Sequence, residues 1–120
     1  MTQAKIAKKT LNPIPSSLRG KKRYLLFEFK SASRIPKSAA ESALLSALMR
    51  LYGSVGTAKI KPRLMRFNPK SGKGILRCSL EGFNEAKAGI IFVQECQNQG
   101  VSPRLLKASG SVKKLRPLLE

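Results

Sequence analysis

Apolar residues recur along the chain with two periods, two and about 3.6, and the switches between them order the predicted elements. Residues 24–30 (YLLFEFK) put Leu25, Phe27 and Phe29 on one face and Tyr24, Leu26 and Glu28 on the other, which predicts a central strand. After the loop 31–36, Ser38 and Glu41 have capping-box spacing, and Leu44, Leu45, Leu48, Leu51 and Tyr52 recur at helical spacing until Gly53. The stretch 53–56 (GSVG) then reads as a turn into a β-hairpin over 57–80. Its outgoing strand alternates Lys59, Lys61 and Arg63 with Ile60, Pro62 and Leu64, so three cations share one face. Asn68, Pro69, Lys70, Ser71 and Gly72 supply the turn. In the returning strand Leu76, Cys78 and Leu80 face the core, with Ile75 and Arg77 opposite.

Phe83, Ala86, Ile90 and Val93 form one stripe, widened by Ile91 and Phe92, which predicts a second helix over 83–96 buried on more than one side. Residues 103–107 make a last strand. After Gly110, Ser111 caps a short helix whose Val112, Leu115 and Leu119 cover the sheet edge, with Pro117 interrupting it. The order β-α-β-β-α-β plus a terminal helix is α+β, a split βαβ (ferredoxin-like, RRM-like) sandwich with a four-stranded antiparallel sheet and both helices on one face. Proline lacks the N–H an interior strand needs, so Pro62 and Pro103 assign the second and fourth strands to the edges. The first and third strands fall inside, and the face away from the helices is expected to be open.

Charge changes what this sheet is for. Twenty-four Lys and Arg stand against six acids in 120 residues, a net charge of +18, and a polyanion is the natural counterpart of such self-repulsion. The excess is unevenly placed. Residues 57–78 carry Lys59, Lys61, Arg63, Arg66, Lys70, Lys73 and Arg77 without one acid, and Arg19, Lys21, Lys22 and Arg23 sit at the mouth of the first strand. Residues 1–15, basic and containing Pro13 and Pro15, read as a flexible arm, and 16–120 as a single RNA-binding domain. Lys113 and Lys114 lie beside the start of the short terminal helix, a further phosphate-contact candidate. The central strands offer Tyr24, Ile75 and Arg77 where a base-stacking reader carries several aromatics, so backbone contacts should outweigh base readout.

The same residues exclude most chemistry. Histidine and aspartate are absent, which removes histidine-based triads, acid–base pairs and metal sites, and the glutamates are scattered rather than clustered. Cys78 and Cys96 lie in apolar-patterned segments without CxxC spacing and read as free buried thiols. No catalytic residue and no metal ligand is expected. Since no apolar run approaches the roughly 20 residues of a membrane span and no signal-type core follows the N-terminal lysines, a cytoplasmic location is expected.

RGKKRY at 19–24, LYGSVGTAKIKPRLMRFNPKSGKGILRC at 51–78 and SGSVKKL at 109–115 resemble, in order and spacing, the archaeal ribonuclease P protein component 2 family over residues 16–116. The resemblance implies a non-catalytic subunit of the ribonucleoprotein that removes the 5′ leader from precursor tRNA. It further implies that the RNA is catalytic and uses magnesium, so this chain needs no cofactor of its own. The implied partners are ribonuclease P RNA, precursor tRNA indirectly, and protein component 3 in a heterodimer or heterotetramer, with no membrane. Carried over by position, Arg19, Lys21, Lys22, Arg23, Lys59, Lys61, Arg63, Lys73, Arg77, Lys113 and Lys114 are the RNA contacts. The helical faces, around 42–47 or on the second helix, are left for protein. Small size and basicity also suit a ribosomal or other structural RNA-binding protein. A free-standing nuclease lacks its residues here, and a membrane-surface protein would gather its cations on one amphipathic helix.

Overall fold

Strand β1 (Lys22–Lys30) is central because both of its faces are apolar in its middle, with Leu25, Phe27 and Phe29 buried on one side and Leu26 on the other. The computed structural model describes residues 21–119, so Arg19 and the arm expected over 1–15 lie outside the described residues. After β1 come α1 (Lys37–Ile60), β2 (Arg63–Asn68), β3 (Lys73–Ser79), α2 (Phe83–Phe92), the small strands β4 (Glu95–Cys96) and β5 (Gln99–Gly100), β6 (Ser102–Ser109), α3 (Val112–Leu115) and a 3-10 turn (Arg116–Leu119). The main sheet has the order β2-β3-β1-β6 and every pair is antiparallel. This is the split βαβ arrangement, with the first and third long strands inside and the proline-bearing β6 at an edge.

Helices α1 and α2 close the principal core on one side of the sheet, with Ala40, Leu44, Leu48, Ala86 and Ile90 packed against Leu25, Phe27, Leu76 and Cys78. Phe27 is its centre, with its ring 4.8 Å from Phe29 and 6.3 Å from Phe67.

Helix α1 departs from its expected form at both ends. It starts at Lys37, and Pro36 holds the cap position with no side-chain bond. The Pro36 carbonyl accepts from the Ala39 and Ala40 amides instead, so Ser38 lies too far in to act as a cap. At Gly53 the chain adopts φ 71°, ψ −177° and then resumes the helix to Ile60. Glycine suits that left-handed position, and here it makes a kink rather than the expected turn. Lys59 is therefore helical, and Lys61 is the left-handed cap whose N–H donates to the Thr57 carbonyl at 3.1 Å. The expected row of Lys59, Lys61 and Arg63 on one strand face does not exist. Tertiary contacts decide the matter: Ile60 is buried in the core, and Ser79 Oγ donates to the Lys59 carbonyl at 2.9 Å. Pro62 precedes edge strand β2 rather than sitting in it.

The far face of the sheet is not open. Leu26, Ile75 and Leu115 form a second buried cluster, flanked by Tyr24, Met65, Leu106, Val112 and Leu119. Ser111 caps α3 as expected, its Oγ accepting from the Lys113 amide at 3.2 Å. The segment ends tied to the β2–β3 turn, where the Leu119 carbonyl accepts from Ser71 Oγ at 2.6 Å and Asn68 Nδ2 at 3.3 Å. Helix α2 is shorter than expected, stopping at Phe92, and its Ile91 and Phe92 are exposed rather than buried. Gln97 and Asn98, at φ 52° and 64°, turn the chain between β4 and β5. Leu80, expected in the core, is exposed because β3 ends at Ser79.

Cys78 and Cys96 are free and buried. Burial pushes the Cys78 thiol up from 9.0 to about 11, opposed by the nearby charges of Arg23 and Lys22, and burial also raises Cys96. The folded chain thus keeps a proton at Cys78 that the unfolded chain releases first. This contribution is intact below about pH 9 and is lost as pH rises toward 11. Urea unfolding across that window should show a steeper loss of stability for the parent than for Cys78→Ala; equal slopes would refute the assignment.

Candidate nucleic-acid interface

Antiparallel pairing brings residues distant in sequence to one end of the sheet. Lys22 pairs with Ser79, Tyr24 with both Arg77 and Ser109, and Arg63 with Arg77. The starts of β1 and β2 therefore lie beside the ends of β3 and β6. Alternation puts Lys22, Tyr24, Arg77 and Arg63 on the face opposite the main core, next to the ground covered by α3. Lys113 and Lys114 follow Ser109 closely and are exposed on α3. The bond from Ser79 to the Lys59 carbonyl brings the end of α1, with Lys59 and Lys61, to the same end.

Lys21 precedes β1, and its carbonyl accepts from the Leu80 amide at 2.8 Å, fixing the strand's mouth. Arg23 points to the other side of the strand from Lys22, with Nη1 donating to the Lys22 carbonyl at 3.1 Å. Of the residues expected to bind RNA, Lys73 is the exception among those described. It pairs with Glu28 at the opposite end of the sheet. Lys59 also has a mixed setting, because it shares a cleft of about 250 Å³ with Glu81 and Glu85.

Arg77 has the most informative surroundings. It is half-buried between Tyr24 and Arg63, and its Nε is buried with no hydrogen-bond partner. A buried donor left unpaired is costly, and an acceptor arriving on this face would relieve the cost. Two further cations lie on the same side of the sheet, Arg66 beside Ile75 and Lys107 beside Leu26. Bulges in β2 and β6 shift both out of simple alternation, so the sequence pattern placed neither on this face. No group of three or more metal-ligating side chains occurs among the described residues. No described helix is long and apolar enough to cross a membrane.

The fold and this site define a class of small basic α+β proteins that present cations along one end of a split βαβ sheet. Within that class the chain belongs to the Rpp14/Pop5 family, whose model matches residues 23–119. It is 31% identical over 106 residues to ribonuclease P protein component 2 of Pyrococcus abyssi, covering 88% of this chain and 90% of the relative. The protein of the same name from Methanocaldococcus jannaschii is 30% identical over 106 residues, covering 88% and 78%. A chain in the cryo-EM structure of yeast ribonuclease MRP shares the fold at TM-score 0.64 and 14% identity, over 78% of this chain and 77% of that one. The curated relatives of this family are named as protein components of ribonuclease P.

Proposed function

We propose that the chain is a non-catalytic, RNA-binding subunit of ribonuclease P that stabilises the catalytic RNA for removal of the 5′ leader from precursor tRNA. The observation that carries this is the gathering of Lys21, Lys22, Arg63, Arg77, Lys113 and Lys114 at one end of the sheet, around an Arg77 donor that lacks a partner. Phosphate oxygens satisfy both the charge and the donor. The family relationship directs the choice of RNA, and magnesium belongs to that RNA rather than to this chain. By neutralising phosphates near the RNA's catalytic core, the protein would lower the magnesium the RNA needs to fold.

Component 3 is the proposed protein partner, and the helical layer is the surface left for it. There α1 offers the small side chains of Ser42 and Ser46, and the end of α2 offers Ile91 and Phe92, the latter 5.9 Å beneath the Arg50 guanidinium. Reconstitution tests the whole: the cognate RNA with this chain and component 3 should process precursor tRNA at magnesium concentrations where the RNA alone is inactive. Absence of stimulation at every salt concentration would sink the proposal.

A further inference from the structure

The end of the sheet opposite Arg77 holds a second cationic feature, this one concave. A cleft of about 460 Å³ lies between the β1–α1 loop and the β2–β3 turn, lined among others by Lys30, Arg34 and Lys70. Its volume falls in the range of roughly 300–1,000 Å³ that suits a nucleotide-sized ligand. Glu28 is the acid on its wall, and Arg104 Nε lies 3.8 Å from that carboxylate.

Both walls are held before any ligand arrives. The Phe29 amide donates to the Gly72 carbonyl at 2.8 Å, which fixes the turn against the end of β1. Gly72 has φ 74°, and a Cβ there would stand 2.3 Å from the Phe29 carbonyl oxygen, so only glycine permits this approach. On the loop side, Ser31 Oγ donates to the Ser33 carbonyl at 2.7 Å, while the Ser33 amide and hydroxyl donate to Gln99 Oε1 at 3.1 and 3.2 Å. Beyond Ile35, α1 opens with Lys37 and has neither an acidic residue in its first turn nor a side-chain cap. A cation at that end opposes the helix dipole, and a nearby anion reverses the penalty.

We propose that this cleft seats a backbone phosphate of RNA, held by Arg34, Lys70 and Lys30. The proposal rests on the chain being an RNA-binding subunit. It adds a second contact about 25 Å from the first, at ~3.3 Å per residue along β1, so the protein would bridge two segments of one RNA.

The test is nuclear magnetic resonance on the 15N-labelled full chain, titrated with a short mixed-sequence RNA hairpin and, separately, with inorganic phosphate. Both substituted residues in the variant Arg34→Gln, Lys70→Gln are exposed, so the fold should persist, and unchanged signals from core amides check this. The hairpin should shift the amides of Ser33, Arg34, Ser71 and Gly72 in the parent. In the variant those shifts should vanish while shifts at Lys22 and Arg77 persist. The slope of log affinity against log salt should fall by about 0.7 to 0.9 for the one phosphate no longer held. Shifts confined to the Lys22–Arg77 end, or an unchanged slope, would overturn the cleft alone. No shift at either end of the parent would overturn RNA binding as a whole. Cleft shifts with phosphate but not with RNA would assign it to a small anion and equally overturn the proposal.

Discussion

Replacing Lys22, Arg63 and Arg77 together by glutamine is expected to lower affinity for ribonuclease P RNA about a thousandfold near 0.1 M salt, taking each charged hydrogen bond at about 1.5 kcal/mol. The dependence on salt should flatten at the same time, by about 2 to 3 units of log affinity per log of salt, because three phosphates would no longer release counterions. These residues share one face at one end of the sheet, and glutamine keeps their reach while removing charge. The fold should tolerate the change, since Arg63 is exposed and Lys22 and Arg77 are half-buried. Filter binding across a salt series gives both quantities, and thermal melting guards against unfolding. A triple variant that binds within tenfold of the parent with the same slope would remove this end of the sheet from the RNA interface. Lys59→Gln supplies a contrast: beside Glu81 and Glu85 its charge is already partly answered, so it should matter less than Arg77→Gln.

The strand order was legible because prolines and alternation are local signals with a direct bearing on hydrogen bonding. Pro103 marks edge strand β6, and the proline-free YLLFEFK and KGILRC are the interior strands. The Ser111 cap was legible for the same reason, as its bond spans two residues. What failed was decided by distant contacts. Gly53 stands where a helix would stop, yet the helix resumes because Ile60 finds the core and Ser79 holds the Lys59 carbonyl. A few residues with one buried apolar position fit either period, so AKIK alone could not say whether Lys59 and Lys61 lay on a strand. The sheet's second face read as open because the sequence places Val112, Leu115 and Leu119 over its edge, and nothing local to that short segment says that Leu115 packs on Leu26 and Ile75 of the interior strands instead. The cleft at Lys30, Arg34 and Lys70 could not be read at all, since a loop and a turn far apart in the chain form it together. Even with α1 misjudged, Lys59 and Lys61 lie near Arg63 and Arg77, because β2 must start beside the end of β3.

Leu115→Ala is the single substitution expected to cost most among those bearing on the interface. Four residues of helix cannot sustain themselves in water, so α3 depends on what it covers. Leu115 is fully buried against Leu26 and Ile75, and the same side chain closes the second core and docks the helix. Truncation to alanine should lower stability by about 2–5 kcal/mol, a large part of the roughly 5–15 kcal/mol of a typical domain. Leu118→Ala, at a position 40% exposed, should change it by no more than about 0.5 kcal/mol. Urea unfolding of the two variants side by side measures the contrast. Hydrogen exchange locates the loss, since the Lys113 to Leu119 segment should open first and the α1 and α2 amides should stay protected until global unfolding. Functionally, the undocked segment would release Lys113 and Lys114 from the Arg77 end while leaving Lys22, Arg63 and Arg77 in the sheet. RNA affinity should then fall less than in the triple variant, with a slope reduced by about two contacts rather than three. If Leu115→Ala matches the parent in stability, α3 is not held by this core; if stability falls while the RNA slope is unchanged, Lys113 and Lys114 are not part of the interface.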